Sequence, residues 1–298
     1  MTQEIVFDIG GTNSRIALFK AGKIVWRDQV KTSGQMGPEA MLNSMLNMLG
    51  SLELCLPQTS ALGSTLSSIK IGVAIAGLVK QGEVYASNAE ILKGWDYFPL
   101  EAMLTEKLQH QVMVRNDARA AAWGEYLYGS GKCIDNFLFI TVSTGVGAGL
   151  VLQRQLHLAR NGFDAELGET LTNDHRNLEF HASGSGLERL AIAHGFGNAK
   201  TLCDAADRGD IEAENLYRHG IHELAKKIAD LVVMLGIEKV ALGGGLGLRA
   251  GYLERLQTEL ASLSAICPMY QVPIVSAELG HDAGLIGMAA LLRAGNHG

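Results

Sequence analysis

The stretch Phe137-Leu138-Phe139-Ile140-Thr141-Val142-Ser143-Thr144-Gly145-Val146-Gly147-Ala148-Gly149 runs from an apolar segment straight into alternate glycines. Its first part, rich in aromatic and β-branched side chains, reads as a buried strand. The glycines read as the start of a hairpin, with Gly147 to Gln153 as the second strand and Gln155 to Leu158 as a third. The N-terminus has the same plan. Glu4 to Ile9 reads as a strand, Asp8-Ile9-Gly10-Gly11-Thr12 as its glycine turn, and Arg15 to Phe19 and Lys23 to Val30 as the next strands.

Helices and strands alternate after each opening. In the first half they are a helix from Pro38 to Leu49, a strand from Lys70 to Ala76 closed by Gly77, and a hairpin from Val79 to Tyr85. A helix from Pro99 to Leu108, a strand from Gln111 to Arg115 and a helix from Ala118 to Tyr128 follow. In the second half, helical periodicity marks Gly184–His194, Ala199–Arg208 and Asp210–Leu235, the last with Gly236 as its C-cap. Lys239 to Leu242 reads as a strand ending in Gly243-Gly244-Gly245, Leu248 to Leu263 as a helix, Val272 to Ser276 as a strand and Ala283 to Leu292 as the last helix.

This is a structural duplication without a sequence repeat. It predicts two α/β lobes around a central cleft: an N-terminal lobe of residues 1–117 and a C-terminal lobe of 118–298, with a helix at about 283–295 returning to the first lobe. The boundary is expected near 115–135. In such sheets ligands gather beyond the C-terminal ends of the strands. Asp8, Gly77, Asn116, Thr144 and Gly243 all stand at predicted strand ends.

Composition narrows the function. With 47% apolar residues in 298, the chain can bury a large core. A net charge of −6 and no basic cluster predict no nucleic-acid partner. No apolar run is long enough to span a bilayer, and Met1-Thr2-Gln3-Glu4 has no signal-type start, so a cytoplasmic protein is expected. Cys55, Cys133, Cys203 and Cys267 lie far apart and read as free thiols, which argues against a local cysteine-based zinc site.

The polar residues at the strand ends suggest phosphoryl transfer. Gly10 and Gly11 leave backbone N–H groups free to face phosphate oxygens, Thr12 adds a hydroxyl, and Asp8 could hold Mg²⁺ through water. An ordinary hairpin is the simpler reading. Thr144 and Gly145 begin a second such turn, where a bulged strand of small residues is the alternative. Asp117 is either the N-cap of the helix after Asn116 or the base that takes a proton from an attacking hydroxyl, with Asn116 bonding the same substrate. Asp164, Glu166, Glu169 and Glu179 form an acidic group suited to sugar hydroxyls, although each alone reads as solvated surface. Ser183-Gly184-Ser185-Gly186 opens a helix. Gly243-Gly244-Gly245 is either a tight turn or a place where a nucleoside approaches the backbone, and His281-Asp282 reads most simply as a helix cap.

Taken in order, Asp8–Thr12, Asn116-Asp117-Ala118, Ser143–Gly147, Gly162–Thr170, Glu179–Gly186, Gly243–Gly245 and His281–Gly284 resemble the ROK family of sugar kinases and repressors over nearly the whole chain. The repressors carry an N-terminal DNA-binding domain, whereas this chain starts at its first strand, so the resemblance implies a kinase. It implies ribonuclease-H-like lobes of the actin and hexokinase kind, with ATP, Mg²⁺ and a sugar as ligands and a homodimer as the assembly. By position it implies Asp117 as catalytic base. Asp8, Gly10, Gly11, Thr12, Thr144, Gly145 and Gly244 would contact ATP or its phosphates. Gly77, Asn88, Asn116, Glu166, Glu169 and Glu179 would contact the sugar.

The chain departs from the family at one place. Gly168-Glu169 stands where the family commonly has Gly-His, and Asn173-Asp174-His175-Arg176-Asn177-Leu178 replaces a cysteine-rich zinc motif. A zinc-free member is expected, in which hydrogen bonds or packing must order the loop that presents Glu179. The runs Arg115–Glu125, Phe139–Gly147 and Gly247–Leu253 are most similar to bacterial N-acetylmannosamine kinases, which implies phosphorylation of the 6-hydroxyl of N-acetylmannosamine. Glucokinases and β-glucoside kinases share the core motifs and stay as alternatives. A sugar-responsive binding protein without catalysis is the alternative from another class.

Overall fold

The computed structural model describes residues 3–32, 37–55, 69–86 and 93–295. Asn88 lies outside them. The chain forms two compact units.

The first unit comprises Met1–Gly124, Leu158–Phe163 and Asp282–Gly298. Its sheet is built from β1 (Gln3–Ile9), β2 (Asn13–Lys20), β3 (Lys23–Lys31), β4 (Ile69–Ile75) and β7 (Val112–Asn116), in the order β3-β2-β1-β4-β7. Only β2 runs against its neighbours β1 and β3, while β1, β4 and β7 are parallel. The parallel strands are almost continuously apolar because both faces are covered. On one face, Ile5, Phe7, Ile71 and Val73 pack against α1 (Pro38–Cys55) and α2 (Leu100–Leu108). On the other, Val6, Ala17, Phe19 and Ala74 pack against Ala120 of α3 (Asp117–Tyr128) and Leu285, Met288 and Leu292 of α9 (Ala283–Ala294). The last helix thus sits on β1 and β4. Its far end is tied down by Lys70, whose ammonium donates to the Leu292 carbonyl at 2.7 Å, and by Arg293, 3.3 Å from the fully buried Glu4. A small hairpin, β5 (Leu78–Lys80) and β6 (Glu83–Tyr85), turns at Gln81-Gly82 as the sequence predicts.

The second unit comprises Glu125–His157 and Asp164–His281. It repeats the plan with β8 (Phe137–Val142), β9 (Val146–Leu152), β10 (Gln155–Leu156), β11 (Lys239–Gly243) and β12 (Ile274–Ser276), in the order β10-β9-β8-β11-β12. Again the middle hairpin is antiparallel and β8, β11 and β12 are parallel. Its helices are α4 (Leu178–Ala182), α5 (Gly184–Ala193), α6 (Ala199–Asp207), α7 (Ile211–Leu235) and α8 (Tyr252–Ile266). The buried stripe of α7, from Ala213 through Ile221, Leu224 and Ile228 to Val232, is the centre of this core. Gly236 closes α7 in the left-handed conformation at φ 62, as the C-cap reading requires.

Several boundaries differ from the sequence reading. The helix expected from Leu248 starts at Tyr252, because Gly251 takes φ 81 and the residues before it form turns whose amides bond back to Val142 and Gly244. The first helix runs past Leu49 to Cys55. The short helix α4 and the 3₁₀ turn Leu167–Glu169 fall in a stretch that has no long apolar period to announce them. Asp282 is not a side-chain cap. Its carboxylate makes no cap bond and is paired with Arg27 at 3.3 Å instead.

Candidate active site

In the first unit the predicted residues come together at the C-terminal edge of the parallel strands. Register pairs Ile9 with Ile75 and Ile75 with Asn116, so Asp8, Gly77, Asn116 and Asp117 belong to one edge. Asp8 faces Arg15 across the β1–β2 hairpin, with its carboxylate 3.3 Å from the guanidinium. Gly10-Gly11-Thr12 makes the hairpin turn. Gly10 N–H donates to the Asn13 carbonyl at 3.0 Å, and Thr12 is exposed. Burial, helped by the nearby Asp117 charge, pushes the Asp8 carboxyl up to about 7, against the pull of Arg15. A largely buried carboxylate with so high an affinity for a proton suits a divalent cation, whose charge would offset the same desolvation.

The β7–α3 junction separates the roles of its neighbours. Asn116 Oδ1 accepts from Arg119 N at 3.1 Å, and its Nδ2 donates to the Gly77 carbonyl at 2.9 Å. Asn116 therefore caps α3, and the cap that Asp117 could have supplied is already in place. Asp117 is left at the first turn, with Oδ1 accepting the Ala118 amide at 2.8 Å. Burial raises its pKa, while the Ala118 amide and the Arg119 guanidinium pull the other way. Arg119 itself is buried and holds the return segment Leu158–Phe163 through the Gly162 carbonyl at 2.9 Å.

In the second unit the turn Ser143-Thr144-Gly145 joins β8 to β9, closed by Ser143 N–H to the Gly145 carbonyl at 2.9 Å. The start of α5 rests on it. Gly184 N–H donates to Ser143 O at 2.7 Å and Ser185 N–H to Thr144 O at 3.1 Å, while Ser183 caps the helix through Gly186 N. The Ser-Gly-Ser-Gly run is thus a tight junction against the turn. Gly244, at φ 83 beyond β11, stands where a Cβ would lie 2.7 Å from Thr141 Oγ1 and collide with the Val142 carbonyl. Only glycine permits that approach. Glu179 of α4 points to the same turn, with Oε2 accepting Val146 N at 2.9 Å. Glu169 accepts the Asn177 amide at 3.0 Å. Glu166 follows Ala165, whose φ of 143 is a strained conformation for a residue with a Cβ.

The sequence reading passed over Arg15, Glu125 and Asp174. Arg15 was recoverable, because the hairpin register that follows from the glycine turn sets it opposite Asp8. Glu125 is fully buried, and its carboxylate accepts Ser130 N, Ser130 Oγ, Glu278 N and Leu279 N at 2.7–3.1 Å. Nothing in an isolated Gly-Glu-Tyr marks that. Among the described residues, no group of three or more His, Cys, Asp or Glu is placed to hold a metal ion. None of the described helices is long and apolar enough to cross a membrane.

Paired mixed sheets of this order, with glycine turns and carboxylates at the strand ends, define the fold class to which actin-like sugar kinases belong. Within that class the sequence matches the ROK family over residues 5–294, and the chain belongs to this family. It is 33% identical over 298 residues to an N-acetylmannosamine kinase of Escherichia coli O1:K1, covering 96% of this chain and 97% of that protein. The N-acetylmannosamine kinase of Shigella boydii serotype 18 matches with the same identity and coverage, 33%, 96% and 97%. The fold matches a ROK family glucokinase from Streptomyces griseus in complex with glucose and AMPPNP, with a TM-score of 0.81, 25% identity and coverage of 98% of this chain and 100% of that one. It also matches a ROK hexokinase from Thermus thermophilus, with a TM-score of 0.76, 26% identity and coverage of 97% of both chains.

Proposed function

We propose that this chain is an ATP-dependent sugar kinase that phosphorylates the 6-hydroxyl of an N-acetylhexosamine or hexose, with N-acetylmannosamine as its first substrate. The observation that carries the reading is the split at β7–α3. Asn116 takes the cap, and Asp117 stays as a carboxylate whose affinity for a proton is raised by burial, as suits a base. Asp117 accepts the proton of the sugar 6-hydroxyl as that oxygen bonds to the γ-phosphorus, and ADP leaves. Asn116 and Gly77, with Asn88, contribute sugar contacts, as do Glu166, Glu169 and Glu179.

The phosphates are assigned to Gly10, Gly11, Thr12, Thr144 and Gly145, and the adenosine to the Gly244 turn. Amides and hydroxyls of these turns stabilise charge that grows on the transferred group. Asp8 would hold Mg²⁺ through water, and the ion, when bound, would neutralise phosphate oxygens. The lobe division read from the sequence, residues 1–117 with the helix at about 283–295 against the rest of 118–298, differs from the two compact units at residues 118–124 and 158–163, which fall in the first unit. The reading includes a cytoplasmic homodimer without zinc, tested by light scattering and elemental analysis. Glucose and β-glucosides are the competing substrates within the family.

A coupled ADP-release assay over N-acetylmannosamine, glucose, N-acetylglucosamine, fructose and β-glucosides tests the proposal. Turnover is expected with at least one sugar and fastest with N-acetylmannosamine. A faster rate with glucose would move the chain to the glucokinases, and no turnover with any sugar would favour a binding protein.

A further inference from the structure

Residues 170–182 are held by a local network in which Thr172, Arg176 and His181 meet at one carboxylate, that of Asp174. Leu171 pairs with Asn177 across an isolated antiparallel bridge, and the Arg176 carbonyl accepts Thr172 N at 2.8 Å and lies 2.9 Å from Thr172 Oγ1. His175 turns the chain with φ 64. Inside this turn Asp174 Oδ1 accepts the Thr172 hydroxyl at 2.6 Å and the Arg176 amide at 3.3 Å, and it lies 3.1 Å from His181 Nε2. The Thr172 hydroxyl, then His181 and the Arg176 amide, hold the Asp174 carboxyl well below the usual carboxylate range. His181 is mostly buried and reaches on through Nδ1 to His219 Nε2 of α7 at 3.2 Å.

The beneficiary is α4. A helix of five residues, Leu178–Ala182, does not stand by itself. Its N-terminus is capped by Asn177, whose Oδ1 accepts Phe180 N at 2.9 Å and whose Nδ2 donates to Glu169. Its C-terminal turn is held where His181 meets Asp174. Phe180 is covered by the guanidinium groups of Arg176 and Arg189, at 4.2 and 4.3 Å from its ring centre. Glu179 lies between these supports, and its carboxylate reaches Val146 N in the β8–β9 turn. The same stretch of chain then continues through Ser183 into Gly184 and Ser185, which bond the other side of that turn.

We infer that Asp174 is a positioning residue: it fixes α4, through α4 the carboxylate of Glu179, and through Glu179 the turn Thr144–Val146. The inference rests on the sugar role proposed for Glu179.

Asp174→Ala and Asp174→Asn, each alone and combined with Glu179→Gln, test it. The readouts are kcat, KM for sugar and for ATP, sugar affinity by calorimetry, and Tm. Asp174→Ala should raise the sugar KM about tenfold, with a smaller change in the KM for ATP. Asp174→Asn keeps an oxygen acceptor and should lose less. It carries the comparison if the alanine variant does not fold. Because Asp174 acts through Glu179, its removal should matter far less in the Glu179→Gln background. Additive effects, or a normal sugar KM in Asp174→Ala beside an impaired Glu179→Gln, overturn the inference alone. A normal sugar KM in Glu179→Gln would remove the role given to Glu179, and the inference with it.

Discussion

Asp117 and Asn116 are adjacent, similar in size and chemically different in use. The sequence allowed Asp117 to be either a cap or a base, and that choice turns on which of the two side chains reaches the third amide of the helix. In the folded chain Asn116 does. The partly buried carboxylate of Asp117 has a cost, and its sign is testable. Since the folded pKa of Asp117 is raised, its contribution favours folding at pH below the usual carboxylate value and is lost progressively as pH rises above it. Asp117→Asn should therefore keep or raise Tm at pH 8 while lowering kcat by roughly 10³-fold or more. In the wild type, kcat/KM should rise with pH through a limb lying above the ordinary carboxylate range. Near-normal turnover in Asp117→Asn would remove Asp117 from its role.

Strands and long helices were legible, because β-branched runs, alternate glycines and the stripe on α7 each specify one period. The elements that hold the site in shape were not, for a physical reason. They are short, polar and held by side-chain bonds between positions distant in sequence. α4 depends on Asp174, Asn177 and Glu169, and the end of α3 depends on Glu125, which gathers donors from Ser130, Glu278 and Leu279. Glu125→Ala leaves those donors without their acceptor, and should cost roughly 2–4 kcal/mol. A thermal scan would read this as about 2–4 °C for each kcal/mol. The crossing of α3 and α9 makes a second test. A Cβ on Gly287 would collide with the Ala120 carbonyl and lie 2.9 Å from Gly124 N. Gly287→Ala should lower Tm because backbone, and not a flexible side chain, must give way. An unchanged Tm would mean that the helices are free to separate.

At the level of the complete chain, the duplication read from two glycine-rich turns is present as two sheets with the same strand order. ROK membership follows from a match over residues 5–294. The departure in the Asn173–Leu178 stretch also acquires a physical content. Where thiolates would have been expected from the family resemblance, Asp174, His181 and Asn177 supply hydrogen bonds that order the same segment. Such a clasp should not respond to chelators, so activity should survive dialysis against a strong zinc chelator once Mg²⁺ is restored. Loss of activity that zinc, but not Mg²⁺, recovers would contradict it.

The most direct test is to identify the product. Incubated with Mg²⁺, ATP and N-acetylmannosamine, the protein should yield ADP and a sugar phosphate whose phosphorus couples to the C6 protons in a ³¹P–¹H correlation spectrum. A phosphate on another oxygen, or ADP formed without any phosphorylated sugar, would contradict the assignment of Asp117 as the base for the 6-hydroxyl.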